Sequence, residues 1–243
     1  MFGRYHQTKE VLKLFVCLFC SALLMMEINQ DAQVSFPPPG EAPPLSNPLI
    51  CTGATEYEQV CAGKAARAVD EFYQGLGFEG GGMELPRVVF MDEVSVGTQD
   101  IDWALAIYDR PGNTIRACHY QSGLFQRNGR FEKCDKNALY FSILVHEFAH
   151  YYNSMISPGL PPAVDEAIAG FVQYSLMAPD LRIQLLESTS DGFGSYRDVV
   201  LSRYLNDPDD FLGSSYLYLR KHPRMLQRWL IHQEPLPKDP LFL

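Results

Sequence analysis

Val145-His146-Glu147-Phe148-Ala149-His150-Tyr151-Tyr152 decides how this chain is read. It lies in a run, Leu139 to Asn153, whose apolar residues cluster as on a packed helix, with Asn137 as the expected cap. On a helix, residues four apart sit one turn above each other on one face. His146 and His150 can then direct two imidazoles at a single ion, with bonds of about 2.0–2.1 Å if that ion is zinc. Glu147 falls beside them, placed to take a proton from a water rather than to bind the ion. Two imidazoles and a carboxylate on so apolar a helix would be costly to bury without a partner, and a metal supplies one. The competing reading is a polar stripe on the solvent face of an amphipathic helix.

Past this helix, Ser157-Pro158-Gly159-Leu160-Pro161-Pro162 breaks the chain. Ala163 to Met177 then reads as a second helix, returned across the first by the reversal. A hydrolytic zinc site takes three protein ligands and keeps one position open. Glu166, in the first turn of the second helix, can face back to the histidines, and Asp165 beside it is the other choice. An acidic residue at a helix start is also favoured by the helix dipole alone.

Here the sequence resembles the gluzincins, zinc metallopeptidases whose third ligand is a glutamate. Asp165-Glu166-Ala167-Ile168-Ala169-Gly170-Phe171-Val172-Gln173-Tyr174 is similar to the ligand helix of their aminopeptidase-like and thermolysin-like members. The resemblance implies zinc held by His146, His150 and Glu166, Glu147 as catalytic base, and an edge strand that pairs with an extended peptide. It extends over about residues 86–178 and is strong at 145–152 and 165–174. Three features depart from the pattern. The 15 residues between His150 and Glu166 are fewer than in either group. Gly170 replaces the acidic residue that orients a histidine in thermolysin-like members, which leaves Asp165 for that role. The tyrosine that stabilises the oxyanion has no clear counterpart: Asp210 takes its place before Gly213, and Tyr216 or His222 are the substitutes considered.

Upstream, residues 55–76 read as a helix closed by Gly75 and Gly77. Gly80-Gly81-Gly82 reads as a loop, without the lysine of a phosphate-binding loop. Arg87–Met91 and Trp103–Tyr108 read as strands, and Thr114–Tyr120 as a third that forms a hairpin with the second across Asp109-Arg110-Pro111-Gly112-Asn113. Residues 123–135 read as a loop. Downstream, further helices are expected at Leu181–Leu186, Tyr196–Tyr204 and Asp210–Ile231. The order predicts an α+β fold, and the resemblance implies that it is of zincin type. A small mixed sheet with an edge hairpin packs on the active-site helix, and a mainly helical C-terminal part follows.

Residues 1–32 stand apart. Arg4, Lys9 and Lys13 precede Leu14–Met26, which is almost wholly apolar. Thirteen residues are short for a bilayer span of about 20. They suit an export signal cleaved near Ala32, with an uncleaved membrane anchor as the alternative. Residues 33–50 carry six prolines and read as an extended linker. The domain proper is 51–243. Both readings of the leader place it outside the cytoplasm, periplasmic or secreted, with membrane contact only through an uncleaved leader. Cys17 and Cys20 fall inside the leader. The other four cysteines fit disulfides in an exported domain, with Cys51–Cys61 and Cys118–Cys134 favoured because each pair encloses a short turn-rich segment, against buried free thiols.

A net charge of −9 and the lack of any Lys/Arg run exclude a phosphate-backbone partner, hence nucleic acid. A hydrophobic share of 47% is enough for a core and excludes a disordered chain. The expected partner is a peptide or protein substrate of a secreted zinc metallopeptidase. The alternative is a zinc-binding but non-hydrolytic extracytoplasmic interaction domain.

Overall fold

The computed structural model describes residues 48–78, 84–94, 104–126 and 133–231. The chain divides into two units, Met1–Val34 and Ser35–Leu243, and all described residues belong to the second. The expected leader, most of the proline-rich linker and the Gly80–Gly82 loop lie outside the described residues. Among the described residues no helix is long and apolar enough to cross a membrane.

A short strand β1 (Cys51–Thr52) leads into helix α1 (Glu56–Gly75). Thr55 starts that helix: its side chain accepts from the Glu58 N–H while Glu58 accepts from the Thr55 N–H, so two orphan donors are satisfied reciprocally. Ala62, Ala65, Ala66, Val69 and Tyr73 form its buried stripe. Strands β2 (Arg87–Met91), β3 (Ala106–Asp109) and β4 (Thr114–Cys118) complete a four-stranded sheet of order β1-β2-β4-β3. Only the β3–β4 pair is antiparallel, and it is the expected hairpin, with β3 at the edge. β3 begins later than expected, and Trp103 lies outside the described residues. The last strand stops at Cys118, because the Tyr120 N–H turns to the Glu58 carboxylate.

Backbone parity fixes which way β3 faces. Cys118 N–H donates to Leu105 C=O at 2.8 Å, and these residues lie directly opposite in the register. In an antiparallel pair such bonded positions alternate. Leu105, Ile107 and Asp109 therefore turn their N–H and C=O to β4, while Ala106 and Tyr108 turn theirs to the open edge.

After a one-turn helix α2 (Gly123–Gln126), within the segment read as a loop, comes the central helix α3 (Lys136–Ile156). Its cap is Asp135, not Asn137: Asp135 Oδ1 accepts from the N–H groups of Asn137 and Ala138 at 2.8 and 3.2 Å. Asn137 lies inside the first turn and accepts from the Tyr57 hydroxyl. α3 is packed on several sides, by β3 and β4, by α1, and by helix α4 (Pro162–Leu176). That is why its sequence is apolar almost all round.

The C-terminal part is more broken than periodicity suggested. α5 (Pro179–Leu186) is followed by a 3₁₀ turn at Tyr196–Asp198 and a short α6 (Leu201–Asn206), where one helix was expected. Val199 interrupts it, with φ −80° and ψ 80°, outside the helical region. The expected Asp210–Ile231 helix is two, α7 (Pro208–Lys221) and α8 (Pro223–Leu230), parted where Pro223 removes a donor and starts a new first turn. α7 lies across α4 at Gly170, where an added Cβ would stand 2.7 Å from Leu212 Cδ2. Glycine is there to let two helices approach.

The architecture is thus α+β, with a small mixed sheet and a mostly helical remainder. The two favoured disulfides are absent: Cys51, Cys61, Cys118 and Cys134 are all free thiols. Cys51 is on β1 and Cys61 on the buried face of α1. Cys118 Sγ instead donates to Ala104 C=O at 3.4 Å. Burial pushes the thiols of Cys51 and Cys61 up to about 11 and about 12.

Candidate metal centre

His146 and His150 point from one face of α3 at Glu166 on α4. Nε2 of His146 is 3.0 Å from Nε2 of His150, and Glu166 Oε2 is 3.3 and 3.5 Å from these two nitrogens. A tetrahedral ion with bonds of about 2.0–2.1 Å has donor–donor edges of about 3.3–3.4 Å. The three donor atoms already stand at that spacing, and they form a triad able to hold a metal among the described residues. The donor set, two imidazoles and one carboxylate with no fourth ligand side chain among the described residues, fits a zinc site with an open position.

The far side of each imidazole is tied as a ligand requires. Gln173 Oε1 lies 3.1 Å from His146 Nδ1, and Asp165 Oδ2 lies 3.2 Å from His150 Nδ1. Both are acceptors, so each ring keeps its proton on Nδ1 and leaves the Nε2 lone pair for the ion. Asp165 is itself held from three elements. Asn153 Nδ2, on α3, donates to Asp165 Oδ1 at 2.8 Å. The Tyr73 hydroxyl, on α1, donates to Asn153 Oδ1 at 2.5 Å. Arg110, in the β3–β4 turn, reaches Asp165 Oδ2 at 3.4 Å and Pro158 C=O at 3.1 Å.

Charges in the cluster shift in the direction a cation site demands. Burial would raise the Glu166 carboxyl, yet His150 and His146 overcome it and hold the group far below the usual carboxylate range. Burial opposes a charge on His150, but Asp165 and Glu166 outweigh it and push its pKa well up. The three donors thus favour positive charge between them, which a proton or a metal ion can supply. Glu147 behaves differently. Burial dominates and raises its pKa, although His146, His150 and the Tyr108 N–H act against that. It is 7% exposed, which keeps it basic enough to accept a proton.

The expected ligands and base are therefore brought together, and Asp165 takes the orienting position beside His150. The two oxyanion candidates are placed otherwise. Tyr216 is buried, stacked against Phe171 and Tyr174, with its hydroxyl accepting from Arg220. His222 is exposed between α7 and α8, its ring against Tyr218. The hydroxyl beside the cluster belongs to Tyr204 on α6. It hydrogen-bonds Glu166, and its pKa is driven far up by burial and then by the charges of Glu166 and Glu147. Tyr204 stays protonated and can donate. Sequence reading missed it because only the path of α5 and α6 brings it back. Asn153 and Gln173 carried a signal: three residues after His150 and seven after Glu166, they share those ligands' helix faces.

Residues 53–233 match the model of DUF6639, a family of unknown function, and the chain belongs to that family. Comparison with curated proteins and with solved structures found no match.

Proposed function

We propose that this protein is a zinc-dependent peptidase of gluzincin type that acts outside the cytoplasm. The observation that carries the reading is the donor triangle of His146, His150 and Glu166 with Glu147 and Tyr204 beside it. Zinc bound there supplies Lewis-acid polarisation of a carbonyl and acidifies a water. Glu147 takes the proton from the attacking water and returns it to the leaving nitrogen. The Tyr204 hydroxyl donates to the oxygen that becomes negative as the carbonyl is attacked. Asp165 and Gln173 keep both imidazoles in the tautomer that presents Nε2. The open edge of β3 offers N–H and C=O groups with which an extended peptide can pair.

The location outside the cytoplasm rests on the apolar run Leu14–Met26 behind Arg4, Lys9 and Lys13. The reading is tested by metal analysis of the purified protein and by cleavage of a peptide library, with Glu147→Gln as control. One zinc per chain and cleavage lost in Glu147→Gln support it. Zinc without cleavage at any peptide favours the non-hydrolytic interaction domain. No zinc removes both.

A further inference from the structure

Tyr73 and Asn153 are both 0% exposed, yet each carries a polar group into the packed interior. Two apolar side chains of similar shape would fill that space at no cost in desolvation. What sets the pair apart is the chain of bonds it belongs to. The Tyr73 hydroxyl, on α1, donates to Asn153 Oδ1 at 2.5 Å, and Asn153 Nδ2 donates to Asp165 Oδ1 at 2.8 Å. Asp165 Oδ2 lies 3.2 Å from His150 Nδ1. Hydrogen bonds thus run from α1, through α3 and α4, to a ligand of the candidate metal centre. The direction of the amide is settled by its partners: reversed, Asn153 would set an oxygen against the Asp165 carboxylate.

We propose that Tyr73 and Asn153 are positioning residues for the metal centre, which hold the Asp165 carboxylate on His150 from a helix that supplies no ligand. This rests on the zinc reading above. Asp165 has a rival partner: Arg110, with 43% of its side chain exposed, reaches the same Oδ2 at 3.4 Å. A carboxylate free to turn would follow that guanidinium toward solvent. Asn153 prevents this by occupying Oδ1, which leaves Oδ2 for His150. It stands three residues beyond His150, so both share one face of α3. Tyr73 in turn fixes the amide. Its ring lies on that of Tyr152, with centroids 5.1 Å and planes 10° apart, and the Tyr152 hydroxyl ties back to α1 by donating to Asp70 Oδ1 at 2.7 Å. Both ends of the Tyr73–Asn153 bond are out of contact with solvent, so water does not replace a lost hydroxyl there. His146 is held separately. Its Nδ1 faces Gln173 Oε1 at 3.1 Å, and Gln173 Nε2 donates to Ser142 Oγ at 3.5 Å, within α3 and α4 alone. A change at Tyr73 therefore reaches one imidazole and not the other.

The test uses the full chain with Tyr73→Phe, with Asn153→Leu and with both. Zinc affinity is measured by chelator competition, below the unfolding transition of each variant. The Nδ1 protons of the two ligand imidazoles are followed by NMR in the zinc-loaded protein. Affinity should fall about tenfold in Asn153→Leu, the low end of what losing a ligand's hydrogen-bond partner costs, and about threefold in Tyr73→Phe, one bond further away. The double variant should bind zinc as Asn153→Leu does, because the hydroxyl acts through the amide and has nothing to act on once that is gone. The His150 proton should shift and exchange faster with water, while the His146 proton stays as in the wild type. Losses that add in the double variant, equal movement of both protons, or unchanged affinity in Asn153→Leu overturns the inference and leaves the zinc site standing. If Tyr73→Phe does not fold, Asn153→Leu and the double variant, which leaves no orphaned amide, decide by the movement of the two protons and by affinity. A wild-type chain that binds no zinc defeats the site reading itself, and the inference with it.

Discussion

Asp165 and His150 are joined across the elbow between α3 and α4, Oδ2 to Nδ1 at 3.2 Å, while Glu166 reaches the opposite nitrogen of the same ring. Two consecutive carboxylates thus grip one imidazole at both ends. The first fixes its tautomer and the second shares its ion. Asp165→Asn keeps the shape but removes the negative charge that holds the Nδ1 proton. Zinc affinity should fall about 10- to 100-fold, measured by competition with a chromogenic chelator. Affinity equal to wild type would show that Asp165 is only a helix-start charge.

Removal of a ligand should act on metal and stability together. His146→Ala and Glu166→Ala are expected to purify without the zinc equivalent of the wild type. They should also lose the rise in thermal midpoint that added zinc produces, worth about 2.7 kcal/mol when free zinc is a hundredfold above its dissociation constant. A midpoint that responds to zinc equally in wild type and Glu166→Ala would place the ion elsewhere.

Tyr204→Phe should retain zinc and fold yet lower kcat by about 10²–10³, with little change in KM, because the hydroxyl acts where charge develops. Tyr216→Phe and His222→Ala should stay within about twofold of wild type, since one is packed against rings and the other is exposed. The reverse ranking in steady-state kinetics would return the role to one of those two.

How much of this was legible can be followed residue by residue. The pairing of His146 with His150 and the capture of Glu166 depend on helix period and on one proline-rich reversal, and both are local. The strand Arg87–Met91 was legible for the same reason, as was the strand starting at Thr114, read to Tyr120 but ending at Cys118. Tyr204 was not, because its approach to Glu166 needs the break at Val199 and the packing of α6 on α4 and α7. The search near Gly213 failed for a physical reason: that glycine makes room for the Thr189 side chain and marks a packing contact. The cysteines misled because composition implies a compartment, whereas a disulfide needs two thiols in contact.

Gly170→Ala should destabilise the protein by about 1–3 kcal/mol in denaturant unfolding, since the new methyl meets Leu212 where α4 and α7 touch. Zinc content should be kept, because the clash is on the face of α4 turned to α7. A neutral result would show that Leu212 can swing aside.

Glu58 gives the pH prediction. It is 1% exposed. Burial would raise its carboxyl, but the Thr55 and Tyr120 N–H groups, the Thr55 hydroxyl and His119 together hold it below the usual value. The folded group ionises at lower pH than the unfolded one. Its contribution is therefore complete above the unfolded value of about 4.5 and is lost as pH falls through the depressed folded value. Glu58→Gln should cost about 2–3 kcal/mol at neutral pH and make the acid side of the stability profile shallower, read from urea midpoints across pH. An unchanged acid limb would assign the loss to other carboxylates.

The elbow from Ser157 to Pro161 is closed by its own backbone, Ser157 N–H to Asn153 C=O and Leu160 N–H to Ser157 C=O, and stitched by Asn153 to Asp165. His150 and Glu166 stand on its two arms. Opening the elbow therefore parts two of the three donors while the rest of the fold can stay intact, so the affinity of the triad for an ion depends on the local stability of this short reversal rather than on that of the whole protein.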